Sequence, residues 1–470
     1  MTEDEIPPEL RLRLPEFVLQ IIDPQALQAL TLADLDEFAT AYEEGNLRFV
    51  AEVRAVESSG PVTPELAALI LQVPEGAPYV PKRLARLAKW AYGQQLFSRL
   101  EWEVQENDDG SVDIDLWYAS RDPSFWSPDI SYSSIGGWLY GARYQDLYRG
   151  GKNRQLEYGV QLNQDDIREP RLYAAWTDST LNGGRNAFSV AVSLGNDWRQ
   201  RLRGTPASAR IRQRIARLDL GYTYRNAARI AGLKGDVTLA TGVYTQDSFV
   251  IAGDPTAGGT APRSGFSETG NAAYASVTWH SMFRDMTFTP QEGWDVSLRA
   301  EQHAGAFDFS RVTLDARRYQ LQRNPLGIEP DSAAELGRTD ARRLFPTASL
   351  AWQLQASVAG GDVPYSEELR LGNANMVRGY GYDKAVGTKA VAARAEYRFA
   401  LDEGRQHEAF VFTDHALLGE HFNDMEAFDS YGLGLVVRLP IYGGFKVGGY
   451  YGRAFDNSDS SYGFTLGYQF

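Results

Sequence analysis

One pattern restricts the fold of this chain more than any other: apolar and polar side chains alternate with a period of two, in one segment after another, from about residue 128 to residue 470. In RQLEYGVQLNQ, Leu156, Tyr158, Val160 and Leu162 alternate with polar or small residues, and AFSVAVSL repeats the pattern. Successive side chains of a strand point to opposite faces, so each segment predicts a strand with one apolar face. The period alone leaves two architectures open: a sandwich with its apolar faces inside, and a membrane barrel with its apolar face in lipid.

The number and spacing of these segments favour the barrel. Sixteen strand candidates begin near residues 128, 136, 154, 169, 185, 210, 234, 268, 293, 308, 343, 388, 407, 429, 444 and 460. The region provides roughly 21 residues for each strand and its connection, which is enough for a membrane strand of about 10 residues and a loop. An even number of strands also suits a closed barrel. We therefore predict a mainly β fold, with a 16-stranded antiparallel transmembrane β-barrel over residues 122–470.

The connections between these strands differ in length. Ala252–Ser267, Asn324–Arg342 and Asp362–Gly387 are long, whereas other connections are tight turns such as Tyr442-Gly443-Gly444. Outer-membrane barrels have long loops at the outer end and short turns at the periplasmic end. We therefore expect the three long connections to lie at the outer end.

The last strand candidate, YGFTLGYQF, ends the chain on an aromatic residue. One face of this strand would carry only aromatic and apolar side chains, namely Tyr462, Phe464, Leu466, Tyr468 and Phe470. A soluble sandwich has no need for such a terminus. The segment resembles the C-terminal signal that the barrel-assembly machinery reads, which implies that this machinery inserts the chain into the outer membrane.

Composition excludes several classes of protein. The net charge of −14 does not suit a nucleic-acid-binding protein, and the absence of cysteine excludes disulfides and thiolate metal sites. No run of 18 apolar residues predicts a membrane-spanning helix. The first residues, MTEDEIPPEL, lack the features of a secretory signal, so we expect an exported protein to be represented here in a mature or partial form.

The first 121 residues have a different pattern from the rest. Residues 1–45 read as helix, best seen in TLADLDEFATAYEEG, and predict a linker or the tail of a passenger. Residues 46–121 predict the order β-α-α-β-β, with the last two strands joined by Asp108-Asp109-Gly110. Such a small α+β module has an edge strand that could pair with another polypeptide, although an ordinary cap domain would have the same elements. The module resembles a POTRA domain in Gly76 and Pro78 between the helices, in AYGQQLFSRLEWEV and in Gly110.

The stretch LGNANMVRGYGYDKAVG falls between the eleventh and twelfth strand candidates and contains Val377, Arg378, Gly379 and Tyr380. In this place it resembles the Val-Arg-Gly-Phe/Tyr motif of the POTRA-barrel superfamily of outer-membrane assembly and translocation proteins. That superfamily includes BamA-like insertases, two-partner secretion transporters and the barrels of patatin-type autotransporters. The resemblance implies that Arg378 meets acidic residues of the following strands, which here are Glu396 and Asp414.

The alternation of side chains along each strand predicts which face of the barrel carries these two carboxylates. Glu396 shares its face with Ala390, Ala392, Arg394 and Arg398, so we expect it in the lumen. Asp414 shares its face with Phe410 and Phe412, which would then also point inward. Paired carboxylates suit a buried arginine, because a bidentate partner offsets the cost of removing its charge from water. The alternative is a surface arginine near unrelated carboxylates.

The sequence gives little support to an enzyme. No Gly-x-Ser-x-Gly elbow occurs, and His280, His303, His407, His415 and His421 have no metal-ligand spacing. A metal or acid-base site could be imagined in one polar cluster, formed by Asp414, His415, Glu420, His421 and Asp424. We read that cluster as a strand end and a polar loop. We therefore predict no catalytic residue, no metal and no cofactor.

The resemblance implies a function in outer-membrane protein translocation or assembly. BamA-like insertases carry several POTRA domains and two-partner transporters carry two, whereas this chain has one candidate and so resembles the transporter part of a patatin-type autotransporter. The module would receive an unfolded client polypeptide or an N-terminal passenger in the periplasm, and the barrel, surrounded by outer-membrane lipid, would export or insert it without ATP. The alternatives are a passive pore or structural barrel and, less in keeping with the sequence, a barrel-embedded lipid hydrolase.

Overall fold

The structure is a computed structural model. It describes residues 48–71, 73, 75–76, 78–93, 96–120, 124–133, 137–146, 154–163, 166–197, 210–252, 267–285, 290–332, 336–364, 367–371, 376–380, 385–404, 406–439, 445–455 and 459–466. The predicted N-terminal helical segment, residues 1–45, lies outside these ranges.

The described chain begins with a small α+β module. Its elements are β1 (Arg48–Ser59), α1 (Pro64–Ile70), β2 (Pro78–Tyr79), α2 (Pro81–Gly93), β3 (Phe97–Glu106) and β4 (Val112–Ser120). The strands lie in the order β3-β4-β1-β2, with β4 antiparallel to β3 and parallel to β1. This order agrees with the β-α-α-β-β pattern of the sequence, apart from the two-residue β2.

Periodicity explains why this module has one core. In β4, Val112, Ile114, Leu116 and Tyr118 are buried at alternate positions, which places them on one face of the sheet. On α2, the buried residues recur at a spacing of three or four and turn one face of the helix to the same core: Leu84, Leu87, Ala88 and Ala91.

The remaining strands form a closed barrel. They are β5 (Ser124–Pro128), β6 (Ser131–Ser133), β7 (Gly137–Asp146), β8 (Arg154–Asn163), β9 (Asp166–Thr180), β10 (Asn186–Asp197), β11 (Arg210–Ile230), β12 (Leu233–Ala252), β13 (Ser267–Arg284), β14 (Gly293–Gly305), β15 (Phe309–Leu321), β17 (Ala348–Gly361), β20 (Lys389–Ala400), β21 (His407–Gly419), β22 (Glu426–Leu439), β23 (Phe445–Ala454) and β24 (Ser460–Leu466). A four-residue helical turn, α3 (Leu181–Gly184), joins β9 to β10. Both β5 and β6 pair with β7, so together they are the first of sixteen strands, and β6 closes the barrel against β24. The prediction of a 16-stranded antiparallel barrel is confirmed.

The two faces of the strands decide between the sandwich and the membrane barrel. Apolar side chains such as Val243, Val411 and Leu433 point outward and are 56%, 51% and 61% exposed. Along β20 the opposite face carries Arg394, Glu396 and Arg398, which are buried. An apolar outer face and a polar lumen are the arrangement of a barrel in lipid. None of the helices in the described ranges is long and apolar enough to cross a membrane.

The connection from β15 to β17 corrects one expectation. It contains β16 (Gly337–Asp340) and a 3₁₀ helix (Ala341–Leu344), and β16 pairs with β3 of the module. Asn324–Arg342 therefore lies at the module end of the barrel, so its predicted place at the outer end is wrong. Ten barrel strands precede this connection, and an even number returns the chain to the end where it entered. The length of a loop alone does not show at which end of the barrel it lies.

The last strand contains part of the predicted C-terminal signal. Tyr462 and Phe464 lie on the outer face of β24, with their rings 5.9 Å and 6.4 Å from those of Tyr132 and Trp138 across the closing seam. Leu466 ends β24, whereas Tyr468 and Phe470 lie outside the described residues. The role of these residues as a targeting signal stays a prediction.

Candidate functional site

The connection between β17 and β20 folds back into the barrel. Its two ends pair as β18 (Leu369–Arg370) and β19 (Val386–Gly387), and Glu367 joins it to β15 through Arg311, whose Nη1 lies 3.2 Å from the Glu367 carboxylate. Of the residues in between, 371, 376–380 and 385 are described. Val377 and Tyr380 are fully buried and pack against inward-facing residues of the strands, namely Ala416, Leu418, Phe428 and Ala454.

Arg378 donates four hydrogen bonds inside the lumen. Its backbone N–H and its Nε each donate to Oδ2 of Asp414 at 2.9 Å, and Nη2 donates to Oδ1 of the same carboxylate at 2.8 Å. Nη1 donates to Oε2 of Glu396 at 2.7 Å. The guanidinium thus binds one carboxylate bidentately and reaches a second one on the neighbouring strand. The structure therefore brings together the arginine and both of the carboxylates named from the sequence.

This cluster is buried, and its charges are paired. Arg378 is 2% exposed, Glu396 0% and Asp414 1%. Two more guanidiniums of β20 take part: Arg398 Nε donates to the second oxygen of Glu396, and Arg394 Nε lies 3.5 Å from Asp414 Oδ1. Buried ions of this kind are tolerated only when each has opposite charges and hydrogen bonds around it, so the loss of one partner destabilises the others.

An aromatic ring completes the site. The guanidinium carbon of Arg378 lies 3.5 Å from the centre of the Phe412 ring, a cation–π contact in a water-poor environment. Space for the ring comes from Gly432 on the next strand, where a Cβ atom would lie 2.4 Å from Phe412 Cζ. Gly434 makes the same room for Phe410. The inward-facing phenylalanines beside Asp414 are thus explained by glycines on the adjacent strand.

The other motif residues reach the remaining strands. Gly379 has φ +95°, a conformation that favours glycine, and its N–H donates to Oγ of Ser461 on β24 at 2.8 Å. A Cβ at position 379 would also lie 3.0 Å from the backbone of Arg453 on β23. Tyr380 donates its hydroxyl proton to the backbone oxygen of Asp429 on β22 at 2.8 Å. Val377–Tyr380 therefore contacts each of the last five strands, β20 to β24.

Sequence reasoning missed several of these partners. Arg398 and Phe412 could have been found, because they share the inward parity of Glu396 and Asp414. Ser461 and the backbone of Asp429 could not, since they follow the motif by 82 and 49 residues and belong to no pattern that marks them.

The barrel is closed by the pairing of β6 with β24. Among the described residues, this seam contains the pairs Ser131–Thr465, Tyr132–Phe464 and Ser133–Gly463. Ser461, which accepts the hydrogen bond from Gly379, lies on β24, so the motif loop is bonded to the strand that closes the barrel.

The polar cluster considered as a metal or acid-base site does not assemble. Asp414 faces the lumen, whereas His415 faces outward and pairs with Asp429. Asp424 accepts a hydrogen bond from the backbone of His421 at 2.7 Å. Among the residues that the structure describes, no group of three or more ligating side chains could hold a metal ion. That the chain catalyses no reaction stays a prediction.

A closed sixteen-stranded barrel with an apolar exterior and an arginine loop bonded inside its lumen defines a class of outer-membrane protein. A comparison with protein-family models matches residues 127–467 to the Omp85 superfamily domain. That match spans well over half of the chain, so the chain belongs to the Omp85 superfamily, and the resemblance seen in the sequence is confirmed.

Solved structures have a similar fold. BamA from Haemophilus ducreyi lacking POTRA domains 1-3 has a TM-score of 0.52 and 12% identity, covering 89% of this chain and 84% of that one. CdiB from Acinetobacter baumannii has a TM-score of 0.51 and 13% identity, covering 90% and 74%. CdiB from Escherichia coli has a TM-score of 0.51 and 12% identity, covering 89% and 76%. A comparison with curated proteins found no significant match.

Membership of the Omp85 superfamily makes this chain an outer-membrane protein that takes part in the assembly or translocation of other proteins. Its partners are accordingly polypeptides.

Proposed function

We propose that residues 46–121 are a POTRA-like periplasmic domain that receives an unfolded client, and that the barrel of residues 122–470 exports that client or inserts it into the outer membrane. Residues 1–45 would be a helical linker or the tail of an N-terminal passenger. The α+β element order supports the first assignment. So does the likeness to solved structures, which covers about nine-tenths of this chain and hence more than its barrel.

The observation that carries this proposal is the set of bonds made by Val377–Tyr380. They run from Asp414 on β21 to Ser461 on β24, so the lumenal loop holds the strands that lead to the closing seam. We propose that Arg378 fixes the loop in the lumen and keeps these strands in the shape from which the barrel acts on its client. A barrel that only conducts ions would need neither these bonds nor the module.

In the proposed mechanism, translocation or insertion of the client is not driven by a bound nucleotide. Unfolded polypeptide pairs with the module by its backbone, which accepts many sequences because the ladder involves main-chain groups. The barrel then provides the path, and the client's own folding provides the free energy. The barrel-assembly machinery would be a partner only during insertion of this chain itself.

Two measurements on reconstituted protein test the proposal. In proteoliposomes, an unfolded eight-stranded outer-membrane barrel protein serves as the client, and its folded, heat-modifiable fraction is followed with time. We expect the full chain to accelerate this folding and a variant without residues 46–121 to lose most of the acceleration. Equal rates with full chain, truncated chain and empty liposomes would contradict an insertase function.

Conductance separates the passive pore from the translocator. In a planar bilayer, a pore gives a steady ohmic current that Arg378→Ala leaves unchanged. We expect little current from the wild-type chain and a larger, fluctuating current from Arg378→Ala, because the freed loop no longer fills the lumen. A steady wild-type current unaffected by the substitution would favour the pore.

A further inference from the structure

The edge of the module's sheet is occupied by a strand from the barrel. In the antiparallel pairing of β16 with β3, Gly337 faces Val104, Arg338 faces Glu103, Thr339 faces Trp102 and Asp340 faces Glu101. These segments lie more than 200 residues apart, with Arg338 and Glu101 separated by 237 positions. The barrel thus adds a fifth strand to a sheet that belongs to another part of the chain.

Of the two edges of this sheet, β3 is the one suited to pairing. On the opposite side of the sheet, β2 covers β1 only at Arg48 and Phe49, and the rest of β1 has two register shifts against β4. Such bulges are among the features that protect an edge strand from further pairing. Beyond its first residues, β3 runs in regular register with β4 from Arg99 to Glu106. A ladder can therefore form on β3, as β16 demonstrates.

The side-chain contacts of β16 with this edge are few and mostly polar. Arg338 donates to Oε2 of Glu101 at 2.7 Å and lies 4.3 Å from the Trp117 ring, yet its side chain is 49% exposed. Exposed ion pairs contribute little, because water and salt screen them. Thr339 is the one buried residue of β16, on the side of Trp102.

A second set of contacts, separate from the β16 ladder, attaches this connection to the module. Phe345 is fully buried in the module core, with its ring 5.8 Å from that of Tyr92 and 5.1 Å from Nζ of Lys89. Ala341 is buried in the same core. These contacts follow β16 in the chain and do not depend on its ladder, so the strand can detach while the connection stays in place.

We infer that the edge of β3 at Glu101–Val104 captures an extended segment of the client, and that β16 is the resident strand which the client displaces. This rests on the proposed function. The resident strand defines the chemistry of the segment that fits: it is extended and free of proline, it has a small side chain opposite Trp102, and it has a cationic side chain over Glu101 and Trp117. Glu103 lies on the same side of β3 as Glu101 and favours that positive charge.

A peptide copy of the resident strand tests the site directly. The probe is a fluorescein-labelled peptide with the sequence of residues 336–342, LGRTDAR, titrated against the full chain in detergent micelles and followed by fluorescence anisotropy. Arg338→Glu in the chain repels β16 from Glu101 and Glu103, so we expect it to bind the peptide about tenfold more tightly than wild type does. The matched control is Arg343→Glu, outside the ladder, for which we expect wild-type affinity. A peptide carrying Arg338→Glu should bind the chain about tenfold more weakly than the unchanged peptide.

A disulfide supplies the reverse experiment. The chain has no cysteine, so the pair Glu103→Cys and Arg338→Cys forms one unique bond between facing residues. The oxidised pair fixes β16 on β3, and we expect it to bind no peptide, with binding restored by a reductant. Each single cysteine variant is the control for its substitution. Equal peptide binding by oxidised and reduced protein would overturn the inference, as would equal affinity of wild type and Arg338→Glu.

The same variants separate this inference from the proposed function. If the peptide binds as expected but no variant accelerates client folding in proteoliposomes, the proposed function fails, and strand capture no longer serves an unfolded client. If clients fold equally fast with the oxidised and the reduced pair, the proposed function stands and the displacement of β16 is wrong.

Discussion

Arg378 is the residue on which the lumenal site depends. Its guanidinium donates hydrogen bonds to both Glu396 and Asp414. The guanidinium also lies over the Phe412 ring, which shields it from water. A lysine would keep the charge but lose the planar fork that binds Asp414 through two nitrogens. The geometry thus explains why this position holds an arginine.

We expect Arg378→Ala to lower the free energy of unfolding of the barrel by about 3–5 kcal/mol, because it leaves two buried carboxylates without their main partner. Arg394→Ala is the matched control. Arg394 also lies in the lumen, but it reaches Asp414 only at 3.5 Å and donates to Gln353. The guanidinium chloride midpoint of the heat-modifiable form should fall clearly further for Arg378→Ala. Equal midpoints for the two variants would contradict the account.

Gly379 provides a second prediction at the residue scale. At φ +95° an alanine is strained, and its Cβ would also lie 3.0 Å from the backbone of Arg453. Gly327 has φ +74° with open space around it, so Gly327→Ala adds the strain without the collision. We expect Gly379→Ala to destabilise the barrel by more than about 1 kcal/mol beyond Gly327→Ala. Unfolding midpoints that agree within error would show that the close approach is unimportant.

Among the elements, β16 and the 3₁₀ helix after it connect the barrel with the module. Arg338 of β16 donates to Glu101 of β3 and lies over the Trp117 ring of β4. Phe345 lies in the module core, and Arg438 of β22 donates to the hydroxyl of Tyr92 at 2.6 Å. Polar contacts and one buried aromatic ring therefore hold the two parts together.

Phe345→Ala tests the buried part of this junction. The loss of a fully buried phenylalanine typically costs about 3–5 kcal/mol, and here it removes side-chain contacts with Tyr92 and Lys89. We expect the chain to become sensitive to protease between residues 322 and 347 while the barrel keeps its heat-modifiability. Phe422→Ala is the control, since Phe422 is 67% exposed. Unchanged proteolysis of Phe345→Ala would contradict the anchor.

The stability that the ion pairs of Glu101 give to this junction should depend on pH. Burial raises the pKa of Glu101, but the hydrogen bonds from Arg99 and Arg338 outweigh it, so the pKa is lowered from its ordinary value of 4.5. A lowered pKa means that the ion pairs stabilise the folded module fully above about pH 4.5 and lose this effect as the pH falls through the lowered value. The urea midpoint of module unfolding should therefore stay constant above about pH 5 and drop as the pH falls below about pH 4.5. In Glu101→Gln this drop should be smaller, and an equal drop would contradict the assignment.

Some of these elements could be predicted from the sequence, and others could not. Strands such as β8 and β20 could be found because their alternation is a local property of about ten residues. The same parity placed Glu396 in the lumen. β16 could not be found, because GRTD has no alternation and its partner β3 lies more than 200 residues away. The end of the barrel at which the β16 connection lies could not be predicted either, because the length of a loop does not show at which end it lies.

At the scale of the whole molecule, the α+β module and the lumenal loop are both bonded to the barrel. The module meets the connection after β15, and the motif loop joins β20, β21 and β24 near the closing seam. In our account a client binds at the module and reaches a barrel whose last five strands are held in shape from within.

The most direct test of this account is the rate of client folding in proteoliposomes that contain Arg378→Ala, compared with wild type and Arg394→Ala at equal amounts of heat-modifiable protein. Because only folded barrels are compared, a lower yield of the variant does not affect the rate. The account predicts that Arg378→Ala folds the client about tenfold more slowly than wild type, whereas Arg394→Ala stays within about twofold. A wild-type rate for Arg378→Ala would contradict it.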